Sequence, residues 1–354
     1  MVVGPDPRGA GGIAVVIGSL MTSPLREQYE LVMVATHTDS GRLGKALRAV
    51  GGSTRAAALL AARRVDLVYL HSSSGPSLRR KAGVAALARL ARRPYVLHVH
   101  GGAFDRYYRD AAGLEQAVVR KLLSGAALVI ALSPTWQERL QLIATCRTTA
   151  IPNPVPIPDE PATLAGQPPR IVSLGRLGDG KGSRTMVRAL AALGGQHADV
   201  RLVLAGDGDA AAVREEAQRL GVSERVNLPG WIDPDERART LSSATAFALP
   251  SRSEGVPVSL LEAMAYGLPA VTSPVGGIPD VFEDGRHGYF VQPDDPEALA
   301  DRLRALLDDP ETARRMGARA RQDARQRYAT DVVAAQLGAA LAEVLAEEER
   351  KRRH

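Results

Sequence analysis

Short apolar runs rich in Val, Ile and Leu alternate with Ala/Leu/Arg stretches whose apolar residues recur at spacings of three and four, and the alternation persists to Val291. Continuous apolar runs of this length are strands buried on both faces, and the amphipathic stretches between them are crossover helices; the pattern predicts parallel sheets covered by helices. In the first half the predicted strands are 1–4, 29–36, 67–71, 95–100, 127–132 and 149–152, with helices near 11–22, 45–62, 77–92, 113–124 and 135–143. The segment 151–169 concentrates proline where neither helix nor central strand accepts it, and so reads as a linker. A second set of strands follows at 170–175, 201–205, 225–228, 246–249, 270–273 and 288–291. Beyond Pro310 the chain is helical, with a break near Tyr328 and Thr330 as the N-cap of a last helix of about 18 residues. The expected class is therefore α/β, with two Rossmann-like domains, 1–155 and 156–330, and a helix at 331–354 packing back on the first. Residues 347–354, Glu-Glu-Glu-Arg-Lys-Arg-Arg-His, are expected to be disordered.

Ligands of open parallel sheets sit outside the carboxyl ends of the strands, which directs attention to strands ending in glycine or polar residues. After the strand ending at Leu249 comes Ser253-Glu-Gly-Val-Pro-Val-Ser-Leu-Leu-Glu262. Pro257 suits a first helical turn, leaving Glu254, Gly255 and Val256 in the loop and Glu262 on the helix. Two carboxylates so placed can each accept hydrogen bonds from a diol, one from a ribose and one from a hexose. A diphosphate between them would meet the free amides of Val258 and Ser259 at the helix N-terminus. After the first strand, Gly11-Gly12 lets the backbone approach a phosphate or sugar with no Cβ between. His98 and His100, two apart on one strand, share a face; His100 lies at its carboxyl end before two glycines, whereas His98 reads as structural. Residues 104–109 and the end of the neighbouring strand, His71-Ser72-Ser73-Ser74, are candidates for an acceptor pocket. Gly175-Arg-Leu-Gly-Asp-Gly-Lys181-Gly182 approaches a P-loop, but Gly182 stands where that motif needs a magnesium-binding hydroxyl. Asp207-Gly-Asp209 has the form of an Asp-x-Asp metal site yet occupies a plain strand-to-helix turn.

Together these segments resemble the retaining glycosyltransferases of family 4, whose Glu-x7-Glu motif matches Glu254 and Glu262. Gly11-Gly12-Ile13, His100-Gly101-Gly102, Ser133-Pro134, Ile151-Pro-Asn153, Gly206-Asp-Gly-Asp and Val275-Gly-Gly-Ile-Pro-Asp extend the resemblance along most of the chain. It implies a GT-B fold, two parallel sheets facing a central cleft, with the acceptor on the first domain and a nucleotide-sugar donor on the second. It also implies that Arg176 and Lys181 neutralise the donor diphosphate in place of a metal, and that His100 contacts the transferred sugar or the phosphate. Retention of anomeric configuration follows from the same resemblance, through front-face attack, since no carboxylate of the first domain presents itself as a nucleophile. Gly175 completes the phosphate loop, and the base is expected near 228–232, around Trp231, with uridine and guanosine undistinguished.

Charge adds one consideration. Residues 1–150 hold 20 Lys+Arg against 9 Asp+Glu, while the rest hold 25 against 30. A basic first half suits an anionic membrane surface, a phosphorylated acceptor or nucleic acid, with the helix from Leu78 to Arg93 offering Val84, Leu87 and Leu90 between clusters of arginine. Neither a cofactor, a metal nor nucleic acid is expected: the one cysteine, Cys146, makes no disulfide, and no Cys/His spacing builds a zinc site. With no apolar leader or spanning run, a cytoplasmic protein, peripheral at the membrane face, is expected. A non-catalytic nucleotide-sugar-binding subunit is the alternative. A nicotinamide oxidoreductase is disfavoured, because neither domain opens on Gly-x-Gly-x-x-Gly.

Overall fold

Strand and helix alternate through residues 1–154 as β1 (Val2–Pro5), α1 (Gly12–Met21), α2 (Leu25–Gln28), β2 (Met33–His37), α3 (Arg42–Ala61), β3 (Val68–Ser72), α4 (Pro76–Leu90), β4 (Tyr95–Val99), α5 (Phe104–Asp110), α6 (Gly113–Ser124), β5 (Leu128–Ala131), α7 (Pro134–Gln141) and β6 (Thr148–Ala150). The computed structural model describes residues 1–37, 41–102 and 104–353. The second series is β7 (Arg170–Leu174), α8 (Ser183–Ala192), β8 (Arg201–Ala205), α9 (Ala210–Arg219), β9 (Val226–Gly230), α10 (Pro234–Ser242), β10 (Ala246–Leu249), α11 (Val258–Ala265), β11 (Ala270–Thr272), β12 (Gly288–Phe290), α12 (Pro296–Asp308) and α13 (Pro310–Arg327). A last helix, α14 (Thr330–Arg353), joins the first series. Two compact units result: Met1–Pro154 with Thr330–His354, and Val155–Ala329.

Each unit has one six-stranded parallel sheet, ordered β2-β1-β3-β4-β5-β6 in the first and β12-β11-β10-β7-β8-β9 in the second. Both orders reverse direction beside the unit's first strand, between β1 and β3 and between β7 and β10. Loops leaving such a pair part to opposite faces and open a crevice at the strand ends. In the first unit Val3, Leu70, Leu97 and Val129 pack one sheet face against Leu60, Val84 and Leu123 of the helices. In the second, Ile171, Leu202, Leu204 and Val271 meet Val187, Leu190 and Leu303. Such residues each contribute about 1.5–3 kcal/mol on burial, and they hold the strand ends in fixed register.

Three expectations are corrected. The strand read at 29–36 begins only at Met33; Leu25–Gln28 is helical, and Tyr29 ends that turn with its hydroxyl donating to the Gly338 carbonyl of α14 at 3.0 Å. Residues 347–353, expected to be disordered, continue α14, where Arg147 pairs with Glu343 and Glu347 at 2.9 Å and Arg352 donates to the Arg92 carbonyl; His354 lies outside the described residues. The helix from Leu78, α4, does not offer its apolar residues to a membrane: Leu78 and Val84 are buried in the core, leaving Leu90 exposed. Among the described residues no helix is long and apolar enough to cross a membrane.

Candidate functional site

In the second unit, β7 and β10 are neighbours, and the loops beyond them meet. Lys181 Nζ, on the single 3-10 turn Asp179–Lys181 after β7, donates to Glu254 Oε1 at 2.5 Å. Arg252 N donates to the Gly180 carbonyl at 3.0 Å and ties the same two loops by their backbones. Glycine makes the approach possible: Gly182 has φ +71°, and a Cβ there would lie 2.5 Å from the Pro250 carbonyl oxygen. The departure of Gly182 from the P-loop pattern thus has a steric cause. On the far side a Cβ at Gly276 would come within 1.7 Å of the Glu254 carbonyl oxygen, and Gly277 N donates to Gly255 O at 2.8 Å. The Val275-Gly-Gly turn is a backstop for the Glu254 loop.

Glu254 is buried, as is Glu262 one helix further. Helix α11 starts from Pro257 with no side-chain cap, so its first turn, Val258 and Ser259 included, presents amides at the crevice. Glu262 Oε2 accepts two hydrogen bonds from the Arg237 guanidinium of α10, at 2.6 and 3.0 Å. Burial pushes the Glu262 carboxyl above its ordinary range, and the Arg237 charge opposes the rise. Arg176, on the same loop as Lys181, is exposed, its stem lying over Gly208, where a Cβ would stand 3.1 Å from its Cγ. Gly175 takes φ +147°, with its amide donating to Ala205 O. Trp231, 43% exposed, follows β9 directly. Asp209 caps α9 by accepting from Ala212 N at 3.0 Å, the turn role read for it.

In the first unit, Gly11 (φ +107°) caps α1, both Gly11 and Gly12 are exposed, and a Cβ on Gly11 would meet nothing within 4 Å. His100 lies just past β4, its ring 4.1 Å from that of His98 and 5.1 Å from that of His71. Desolvation holds His100 neutral, its pKa pushed down to about 3, opposed by a hydrogen bond with Asn153. His71 and Ser72, expected along an acceptor pocket, are fully buried; Ser73 and Ser74 are partly exposed. Residues 104–109 form most of α5, with Phe104 turned into the core.

The geometry therefore brings together Lys181, Glu254 and Gly255, carries Arg176 on the same loop as Lys181, and places Glu262 on α11. The residue that sequence reasoning missed is Arg237. Its only signal is the start of a helix, Asp233-Pro-Asp-Glu, and nothing in that string foretells a partner 25 residues on. Linear spacing also missed the grouping of His71 with His98 and His100, which depends on the β3–β4 register.

Residues 159–323 match the family of glycosyl transferases group 1, and residues 11–154 match the glycosyl transferase 4-like domain. Over 185 residues the chain is 32% identical to D-inositol 3-phosphate glycosyltransferase of Corynebacterium glutamicum, an alignment covering 50% of this chain and 44% of that protein. The chain spans about half the length, or less, of the curated relatives it matches. Across nearly its whole length it has the fold of sucrose-phosphate synthase from Thermosynechococcus elongatus, with a TM-score of 0.79 at 21% identity over 98% of this chain and 100% of that one. The Anabaena HepE structure in complex with UDP and glucose gives 0.75 at 20% identity, over 97% and 99%. At such identities the likeness is one of fold, and the fold is GT-B.

Proposed function

The chain belongs to the group 1 glycosyl transferases with a 4-like N-terminal domain, and from that premise we propose that it moves a hexose-type sugar from a UDP- or GDP-linked donor to a lipid-linked or polysaccharide acceptor, with retention and without a metal. The observation that carries the reading is the contact of Lys181 with Glu254 beside the uncapped start of α11. These are a cation, a carboxylate and free amides at one switch point. Glu262, oriented by Arg237, accepts from the ribose diol, and Glu254 accepts from the hexose. Arg176, Lys181 and the α11 amides take the diphosphate. As the bond from the anomeric carbon to the phosphate oxygen breaks, its electron pair stays with the diphosphate, and these cations stabilise the added charge. The acceptor hydroxyl attacks the same face and its proton passes to the departing phosphate oxygen. His100, held neutral, donates to the sugar or the phosphate. On this reading Gly11 and Gly12, exposed at the start of α1, admit a phosphate or sugar to the backbone, and Trp231 flanks the base.

The test is calorimetric titration with UDP and GDP in the absence of metal, alongside Glu262→Ala. One nucleotide binds saturably, and the variant binds it about 10- to 100-fold more weakly, the worth of a hydrogen bond to a charged group. Binding of neither nucleotide, or turnover abolished by EDTA and restored by manganese, overturns the reading. Saturable binding without turnover on any acceptor favours a non-catalytic partner subunit.

Peripheral contact of the first unit with an anionic membrane belongs to the same reading. Its support is α3, where Leu47 and Val50 stand 65% and 66% exposed beside a hollow of about 670 Å³ lined by Arg55 and by Arg8 and Arg48, which both pair with Asp6 in the same lining. Sedimentation with phosphatidylglycerol vesicles at low salt, lost on Leu47→Glu, is the expected result; no binding by the parent chain removes this contact.

A further inference from the structure

His71 and His98 are direct cross-strand partners on β3 and β4, and His100 turns its ring to the same face. One nitrogen from each ring lies within 4.8 Å of the others, and His71 Nδ1 stands 2.9 Å from His100 Nε2. The Nε2 atoms of His71 and His98 are buried without a hydrogen-bond partner. The Ile151 carbonyl near His98 favours its protonated form but completes no hydrogen bond to Nε2. An orphan of this kind costs about 1–3 kcal/mol; that of His98 would be relieved by an ion at Nε2, whereas His71 meets His100, and would meet the ion, through Nδ1. Two of the rings are held from outside: the Tyr69 hydroxyl lies 2.6 Å from His98 Nδ1, and Asn153 hydrogen-bonds the His100 ring. Outer partners of this kind orient metal-binding imidazoles. Burial keeps all three rings in the neutral form that has a lone pair to give, and the nearest cation, Lys81, is pushed down to about 7.

We propose that His71, His98 and His100 form a site for one late divalent transition metal ion, zinc or cobalt, with its fourth position open toward the partly exposed side of His100. Three imidazoles and no carboxylate suit such an ion and not magnesium or calcium. Zinc–nitrogen bonds of about 2.0–2.1 Å in a tetrahedron set nitrogens about 3.3 Å apart, so the widest pair closes by roughly 1.5 Å through side-chain rotation while His71 and His100 exchange their hydrogen bond for the ion. The ion is not a participant in transfer. It takes the His100 lone pair and blocks its side of the donor, so zinc inhibits turnover; that consequence, unlike the binding, rests on the transferase reading.

The experiment titrates untagged, chelator-stripped protein with Co²⁺ alone, followed by Zn²⁺. One equivalent of cobalt takes on the visible spectrum of a tetrahedral ion, and zinc bleaches it. His98→Gln and His100→Gln each weaken binding at least tenfold with circular dichroism unchanged, while His197→Gln in the second unit has no effect. His100, at the strand end, is the variant that leaves the core intact if His98→Gln disturbs folding. No stoichiometric tetrahedral complex with the parent chain, or one surviving both triad variants, overturns the site. A triad-dependent complex that leaves turnover untouched upholds the metal site and removes His100 from the donor.

Discussion

Replacing Arg237 with Met isolates a buried carboxylate. Glu262 is 7% exposed and Arg237 18%, and both hydrogen bonds to Oε2 vanish with the guanidinium. Breaking a buried pair in this way costs about 3–5 kcal/mol. Burial already raises the Glu262 carboxyl, and Arg237 supplies the opposing influences, so without it the group rises further and takes up a proton in the folded state. A carboxyl whose folded pKa lies above its unfolded value binds more protons folded than unfolded, so stability falls as pH rises through that window. The penalty of Arg237→Met is therefore greatest near pH 8 and shrinks toward pH 5, by up to about 1.4 kcal/mol per pH unit within the window. Urea unfolding followed through Trp231 measures it, in a Trp136→Phe background that removes the other tryptophan; the buried Trp136 indole N–H has no partner, so no hydrogen bond is lost there. Adding Glu262→Gln to Arg237→Met restores most of the stability and none of the nucleotide binding. A loss under about 1 kcal/mol at pH 8, or an equal loss at pH 5, refutes the account of Glu262 as a desolvated carboxylate held by one arginine.

Three further outcomes follow from the same geometry. Gly276→Ala drives a Cβ to within 1.7 Å of the Glu254 carbonyl oxygen at φ +62°, so thermal melting shows a loss of more than about 2 kcal/mol with nucleotide binding gone, whereas Gly285→Ala, at φ +72° in open space, loses about 1 kcal/mol. Glu254→Gln breaks an ion pair whose lysine side chain is one-third exposed; chemical denaturation shifts by under about 1 kcal/mol, while kcat/KM falls about 100-fold or more. Ending the chain at Thr330 strips away buried Val333, Leu337, Leu341 and Val344, and the first unit then loses its cooperative melting transition in calorimetry.

The strands were legible because parallel strands buried on both faces write themselves as uninterrupted apolar runs. Arg201–Ala205 and Ala246–Leu249 have the bounds read from the chain alone, and most others differ by a residue or two at an end. What failed was decided at long range. Tyr29 is apolar enough to extend a strand, yet it serves α14, more than three hundred residues away. The charged run at 347–353 has the composition of a solvated tail, and it is ordered by Arg147 and by the Arg92 carbonyl, which no local window contains.

The candidate site divides along the same line. Glycines announce where the backbone must come close, and the sequence marks Gly182 and Gly276 without saying what they approach. The structure supplies Pro250 and Glu254 as the reasons. Carboxylates at a strand end announce polar chemistry, but the partner that fixes each one arrives from another element: Lys181 for Glu254 across 73 residues, Arg237 for Glu262 across 25. Neither cation is specified by a spacing rule: Lys181 reaches Glu254 because the loops after β7 and β10 become neighbours through the sheet order β10-β7-β8, and Arg237 reaches Glu262 from the separate helix α10. His71 obeys the same logic. It joins His98 and His100 only because the β3–β4 register sets it opposite His98, and a shift of one residue would turn it to the other face of the sheet. A motif thus carries the functional groups, whereas the topology carries their partners; the electrostatics of each group, raised in Glu262 and lowered in His100, belongs to the second.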